Sequence, residues 1–401
     1  MRFRHYQRWL LSAACGLALL ATATLKAADP QVLPATGEPY TAAFKSATAE
    51  SLQFTVAGEP RSLPIEDLVR YGAFIEPRHG PLWLLVDGGA LVADAVRLDK
   101  ERLQGDSLLF GDVSLPFGAV AGIALRLPGD KGRRDALLKT ISAAAGDHDR
   151  IVLDNGDELT GVIESLGGER VAIATATGRI EVELLQVAAI VFNPSLAEKP
   201  SHADPYLVVG FTDGSRLVAN SFTADAESLN LSAWGENYSA RPQSLSALQV
   251  FGGRATDLSD LKELSFKHVP YLQLGWPLRK DANVLGQPLR AGGKRYLKGL
   301  GMHTAARVAY RLDGPYQEFQ AELAIDDSAG NRGSAVCSVF VDDGTGKWQS
   351  RYTSPIIRGS EPPIAVRVDL TGVKAISLLA DFADHGDQRD HVDWLGARLI
   401  R

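Results

Sequence analysis

The densest group of ligand-type side chains is Asp381-x-x-Asp384-His385-Gly386-Asp387-x-x-Asp390-His391-x-Asp393. Hard carboxylate oxygens on an irregular segment suit Ca²⁺ better than Zn²⁺, which draws on more His or Cys. Asp384, Asp387, Asp390 and Asp393 are therefore the candidate set for a structural Ca²⁺, against the ordinary reading of solvated loop carboxylates. Catalytic patterns are scarce: there is no Gly-x-Ser-x-Gly elbow, no His-Glu-x-x-His, no phosphate loop and no Gly-x-Gly-x-x-Gly turn. Asp326-Asp327 and Asp342-Asp343 are adjacent, so on a strand their carboxyls face opposite sides and cannot flank one bond as a glycosidase pair does. Cys337, in the alternating run SAVCSVFV, reads as a small buried apolar residue. The chain is expected not to be an enzyme, with a hydrolase site assembled from distant loops kept as an alternative.

The elements that must position these residues begin after a leader. MRFRHYQRW is basic, LLSAACGLALLATATL is apolar, and small residues follow at Ala27 and Ala28. This is the layout of a signal peptide over residues 1–27, which places the mature protein in the periplasm or outside the cell. Cleavage also removes Cys15, leaving Cys337 without an intrachain partner, so apolar cores must hold the fold. No later run is long and apolar enough to span a membrane. Of 401 residues, 42 are Lys or Arg and 48 Asp or Glu. An acidic chain without a basic run is a poor binder of phosphate backbones, so nucleic acid is not an expected partner. The 45% apolar and 22% charged shares are those of a globular protein.

The middle of the chain repeats itself. Asp87-Gly88-x-x-Leu91-x-Ala93, Asn155-Gly156-x-x-Leu159-x-Gly161 and Asp213-Gly214-x-x-Leu217-x-Ala219 each follow an apolar run and read as strand, tight turn, strand. Further on, Val113-x-Leu115-x-Phe117-x-x-Val120-x-x-Ile123 matches Ile180-x-Val182-x-Leu184-x-x-Val187-x-x-Ile190. Spacing of two predicts a half-buried strand, and spacing of three a short helical turn before the last strand. Weaker copies at Leu63–Tyr71 and Leu245–Phe251 give four units, at 30–80 (incomplete), 82–128, 149–194 and 204–253. Such units resemble Sm-like or SH3-like β-barrels; propeller blades are the alternative. GRRDALLKTISAAAG predicts a helix with Leu137, Leu138 and Ile141 on one face, and a second short helix is expected over 257–262.

Beyond residue 266 the texture changes. Seven alternating stretches (VAYRL, FQAELAI, AVCSVFV, WQSRY, IAVRVDL, AISLLAD and WLGARLI) are separated by Gly, Pro and Asp turns, which predicts a β-sandwich. The fold class expected is thus mainly β, several small barrel-like repeats followed by a jelly-roll-like sandwich over 266–401.

Several phrases in this last third resemble the NPCBM family, the "novel putative carbohydrate-binding module" attached to glycoside hydrolases. They are Lys298-Gly-Leu-Gly-Met-His303, Tyr310-x-Leu312 with Tyr316-x-x-Phe319, Ile325-Asp326-Asp327, Gly333-Ser334 with Val339-Phe340-Val341-Asp342, Val368-Asp-Leu-Thr-Gly-Val373, and Asp390-His-Val-Asp-Trp-Leu-Gly-Ala-Arg-Leu399. The resemblance implies a sandwich that binds sugar through its loops, in some members with a calcium ion. Sugar recognition needs an aromatic face for the ring and planar polar groups for its hydroxyls. Trp276, Trp348, Tyr352 and Trp394 are candidates for the first role; His303, Asp326, Asp327, Asn331, Arg332, His391 and Asp393 for the second. Each has a plainer reading: Trp394 as core at the start of the closing strand, His303 and His391 as a pair inside the sandwich, Trp348 as a hairpin end. The partner expected is a glycan or polysaccharide, with the repeats as spacers or contacts for an envelope protein. An envelope scaffold that binds no sugar is the alternative.

Overall fold

The computed structural model describes residues 30–98, 101–271, 273–384 and 386–401. The leader over 1–27 and His385 of the acidic cluster lie outside the described residues.

The chain is mainly β, and four segments upstream of the sandwich share one plan. In the third, Asp149–Leu153 pairs with Glu158–Gly167 across a turn where Asn155 Oδ1 accepts the Asp157 N–H at 3.0 Å and Gly156 holds φ +90°. That left-handed backbone is the reason for the glycine in the Asp/Asn-Gly signature. Arg170–Thr175 and Gly178–Glu183 follow, then one 3₁₀ turn at Leu184–Gln186, and Val187–Val191 returns to the first strand with Ile190 opposite Ile151. The same turn occurs at Ile65–Asp67, Phe117–Ala119 and Pro242–Ser244, at the places where apolar spacing lengthens from two to three.

None of these repeats closes into a barrel of its own. Each last strand pairs on its second edge with the last strand of another repeat, so strands of all four merge into one 17-stranded sheet. Repeats one and four form a pair, with Tyr71 opposite Leu248; repeats two and three form another, with Ile123 opposite Ile190. Tyr71 and Ile123 occupy equivalent positions, as do Leu248 and Ile190, so the two junctions have one register. A second junction repeats the correspondence, Ala47 opposite Ala224 and Leu98 opposite Leu166. The last strands Val120–Ala124 and Val187–Val191 are apolar almost throughout and buried on both faces, which suits a central strand with two neighbours better than the rim of a small barrel. Arg216 opposite Ala90 joins one pair to the other.

The helix Lys131–Ser142 bridges repeats two and three. Asp130 caps it by accepting the Arg133 N–H at 2.9 Å, and Ile141, with Leu137 and Leu138, packs on Leu82, Ala124 and Ala189. The helix expected near 257–262 is a single 3₁₀ turn, Leu258–Asp260.

The C-terminal part is a sandwich of two six-stranded sheets. One runs Arg279–Lys280, Gly299–His303, His391–Ile400, Glu318–Ile325, Ile364–Asp369, with Ala255–Asp257 paired to His391–Ile400. The other runs Ser265–His268, Ala306–Arg311, Ala375–Phe382, Ser334–Asp342, Gln349–Thr353, with Ile357–Arg358 added to Ser334–Asp342. Tyr310, Phe319, Cys337 and Trp394 fill the space between, each fully buried. The sandwich is docked on the repeats: Gln320 Nε2 donates to the Ala35 carbonyl at 3.0 Å, Arg70 pairs with Glu322 at 3.1 Å, and Arg290 reaches both Glu76 and Asp135.

Candidate functional site

Asp326 ends the strand Glu318–Ile325 and is almost fully buried. Its carboxylate accepts the Ser328 N–H at 2.9 Å, the Asn283 side-chain amide at 2.9 Å and the Arg290 N–H at 3.0 Å. Asp327 accepts the N–H groups of Gly292 and Gly293 at 3.0 and 2.9 Å. Both therefore fasten the 283–293 arm to the sandwich; buried Asp326 is thereby corrected as a group presented to a sugar, while Asp327 stays half-exposed. Trp394 is corrected likewise: it is fully buried, its ring 6.2 Å from that of Phe319.

The four candidate metal ligands do not converge. Asp390 is buried and accepts the Thr304 hydroxyl at 2.7 Å and the Ser334 N–H at 2.8 Å. Asp393 is buried on the closing strand, and its burial, together with the charges of Asp326 and Asp327, pushes its carboxyl well above the usual range. Asp384 accepts from the Arg358 guanidinium at 2.8 Å, and Asp387 is half-exposed on the turn beyond it. Among the described residues no three His, Cys, Asp or Glu side chains are placed to hold a metal ion. The Ca²⁺ reading is thereby corrected: spacing along a loop gave density of carboxylates, while the fold spends Asp384 and Asp390 on neighbouring donors and sinks Asp393 in the interior.

Aromatic residues meet elsewhere. The Trp276 indole lies parallel to the His303 imidazole, 4.9 Å between centroids and 5° between planes, with the His391 ring 5.9 Å from that of His303. The Trp276 backbone N–H donates to His268 Nδ1 at 3.2 Å, which fixes the loop on the strand Ser265–His268. His303 is buried on Gly299–His303, its Nδ1 2.9 Å from the Thr304 carbonyl, so it supports Trp276 from below. Burial and the neighbouring His303 push the His391 imidazole down to about 4, which keeps it neutral at pH 7, with Nδ1 3.1 Å from the Ser328 hydroxyl. Trp276 remains half-exposed, and Tyr271, 62% exposed on the same loop, sets its ring edge against Phe382 at 5.8 Å. Tyr271 is the residue that sequence reasoning passed over; its signal is an apolar run, VPYLQLGW, inside a segment otherwise built of loops.

Arg332 stands in a second, polar recess of about 300 Å³ with Asn331, Ser334, Arg358, Asp384 and Gln388. Asp390 lies between the two places, bonded on one side to Thr304, next to His303, and on the other to Ser334. Trp348 and Tyr352 lie apart, half-buried at the Gln349–Thr353 edge of the second sheet; the Arg307 guanidinium covers the Trp348 ring at 4.9 Å from its centroid.

Comparison with known proteins gives a match between residues 254–400 and the model of the NPCBM/NEW2 domain. The C-terminal sandwich is an NPCBM domain. The match takes in Ala255–Asp257, which lies ahead of residue 266 and pairs with the closing strand of the NPCBM domain. A stretch of 133 residues, 31% of this chain, is 33% identical to a protein of Renibacterium salmoninarum named "Putative endo-alpha-N-acetylgalactosaminidase", of which it covers 8%. Among solved structures, the chain is similar to a CBM51 from Clostridium perfringens GH95 in complex with methyl-galactose, at 23% identity, 36% of this chain, 99% of that one and a TM-score of 0.32. It is also similar to the CBM51-2 and INT domains of Clostridium perfringens ZmpB in complex with GlcNAc, at 23% identity, 49% of this chain, 40% of that one and a TM-score of 0.33. No helix among the described residues is long and apolar enough to cross a membrane.

Proposed function

We propose that this is a secreted, non-catalytic carbohydrate-binding protein whose sugar is held by loops at the Trp276 end of the NPCBM domain, with the four repeats as a rigid mount that also offers surface to an envelope protein. The observation that carries this reading is the Trp276–His303 stack: a flat aromatic face held by a buried imidazole is pre-set for the apolar side of a sugar ring. Neutral His391 lies beside the stack, and Asn331, Arg332 and Gln388 in the recess beyond Asp390 offer further donors and acceptors for hydroxyl groups. Trp348 and Tyr352 form a separate aromatic edge under Arg307 and serve as the competing platform.

The test is retention of the full chain on immobilised galactose, N-acetylgalactosamine and N-acetylglucosamine polymers, with Trp276→Ala beside Trp348→Ala. Loss of retention in the first supports the Trp276 end, and loss only in the second moves the site to the Arg307 edge. No retention on any glycan, with envelope proteins captured by residues 30–255, favours the scaffold reading. Release of reducing sugar by the pure protein overturns the non-catalytic one.

A further inference from the structure

A cavity of about 780 Å³ lies between the repeats and the NPCBM domain, and none of Trp276, His303 and His391 lines it. Its floor is the outward face of the hairpins of repeats two and four, with Leu84, Val208 and Val218; the arm 281–298 covers it through Leu285, Leu297 and Arg295. The helix Lys131–Ser142 forms a wall and puts exposed Lys139 at the edge. The volume is that of a site for a small organic ligand, and the lining is mostly apolar.

Two arginines break that apolar lining. Arg216 donates Nη2 and Nε to the Gly88 carbonyl at 2.7 and 3.2 Å, and no carboxylate pairs with it among the described residues. Arg295 has a buried Nε without a hydrogen-bond partner. The acids that could neutralise it are engaged: Glu76 by Arg290 and Arg134, Asp135 by Arg290 through two bonds. Asp87 is the carboxylate of the lining that faces Arg216; its Oδ1 accepts the Gly89 N–H at 2.8 Å, its Oδ2 is buried without a hydrogen-bond partner, and burial pushes its carboxyl up, toward the neutral form. Burial and the charge of Arg295 push the Arg216 guanidinium down to about 9. A half-buried Arg216 without an ion-pair partner and an Arg295 whose buried Nε has no acceptor thus line one cavity, an arrangement that a further anion would relieve.

We propose that this cavity binds a small amphipathic carboxylic acid, its carboxylate between Arg216 and Arg295 and its apolar body along Leu84, Val208, Val218 and Leu297. Arginine suits this role because its planar fork matches a carboxylate in two bonds. The proposal is independent of the sugar reading, since no residue is shared between the two sites.

The experiment is calorimetric titration of the full chain with octanoate, octanol and glucuronate. Wild type is expected to take one octanoate per chain. Arg216→Gln and Arg295→Gln are each expected to weaken it at least tenfold, with Arg295→Lys recovering part of the loss. Octanol and glucuronate, which lack the charge and the apolar body respectively, are expected not to bind. Arg295→Gln is also expected to leave the melting temperature of the unliganded chain unchanged or raised, which separates a ligand-facing guanidinium from a structural one. Absence of octanoate binding by folded wild type, affinities within twofold in both glutamine variants, or equal binding of octanol or glucuronate would overturn the proposal.

Discussion

Arg290 holds Asp135 through two parallel N–H···O bonds of 2.7 Å, and its Nε donates to Glu76 at 2.6 Å. The three residues come from the arm of the NPCBM domain, the bridging helix and the segment after repeat one, and all are largely shielded from water. Removing the cation leaves Asp135 desolvated without a partner and Glu76 with only its longer contact to Arg134, at 3.5 Å, which is the expensive way to break such a network. Arg290→Ala is expected to destabilise the protein by roughly 3–5 kcal/mol. Urea unfolding checks it; an unchanged midpoint would show that the carboxylates find water or another cation.

Asp393 supplies a pH dependence whose sign follows from its environment. Its carboxyl is held well above the ordinary value of 3.8, so the folded state keeps a proton that the unfolded chain releases. The stability it contributes is complete below that ordinary value and is lost as the pH climbs toward the folded pKa. Asp393→Asn is expected to raise the melting temperature at pH 7 to 8 and to flatten its fall above pH 5. A variant no more stable than wild type at pH 8 would count against a protonated Asp393.

Trp276 and Trp348 make opposite predictions for glycan retention. Trp276→Ala removes the platform over His303 and is expected to weaken retention about tenfold, close to 1.4 kcal/mol. Trp348→Ala frees Arg307 and is expected to change retention less than twofold. Affinity electrophoresis of both variants in soluble glycan, with melting curves as a fold control, makes the comparison.

Gly72 tests the junction between repeats one and four. It holds φ +66°, and a β-carbon there would stand 2.1 Å from the Ser246 carbonyl oxygen. Since that oxygen belongs to the partner strand's backbone, relief requires the strands to part. Gly72→Ala is expected to cost at least about 2 kcal/mol. Gly146→Ala, with open space around it, is the control for positive φ alone. Equal unfolding midpoints for the two would remove the steric argument.

Local pattern carried much of the fold. The Asp/Asn-Gly turns, the 3₁₀ turns at the change of spacing, the helix over Leu137, Leu138 and Ile141 and the seven alternating stretches among the strands of the sandwich are each set by neighbours within a few residues. The pairing of Tyr71 with Leu248 is not, because any apolar last strand could fill that edge and only the three-dimensional closure selects it. The site was less legible for a similar reason. Asp326, Asp390 and Asp393 have the sequence texture of loop acids, yet their burial depends on distant partners such as Asn283, Thr304 and Ser334. Trp276 looked like one aromatic among several until His303, on another strand, came beneath it.

The nesting of the two repeat pairs has a temporal side. As the chain emerges from its amino end, Ile123 meets Ile190 as soon as repeat three is complete, whereas Tyr71 must wait for Leu248 with its strand edge uncovered. The inner pair is thus free to close early, and the outer pair becomes a late clasp. Any delay in synthesis would leave repeat one as the part of the newborn polypeptide most open to joining the wrong neighbour.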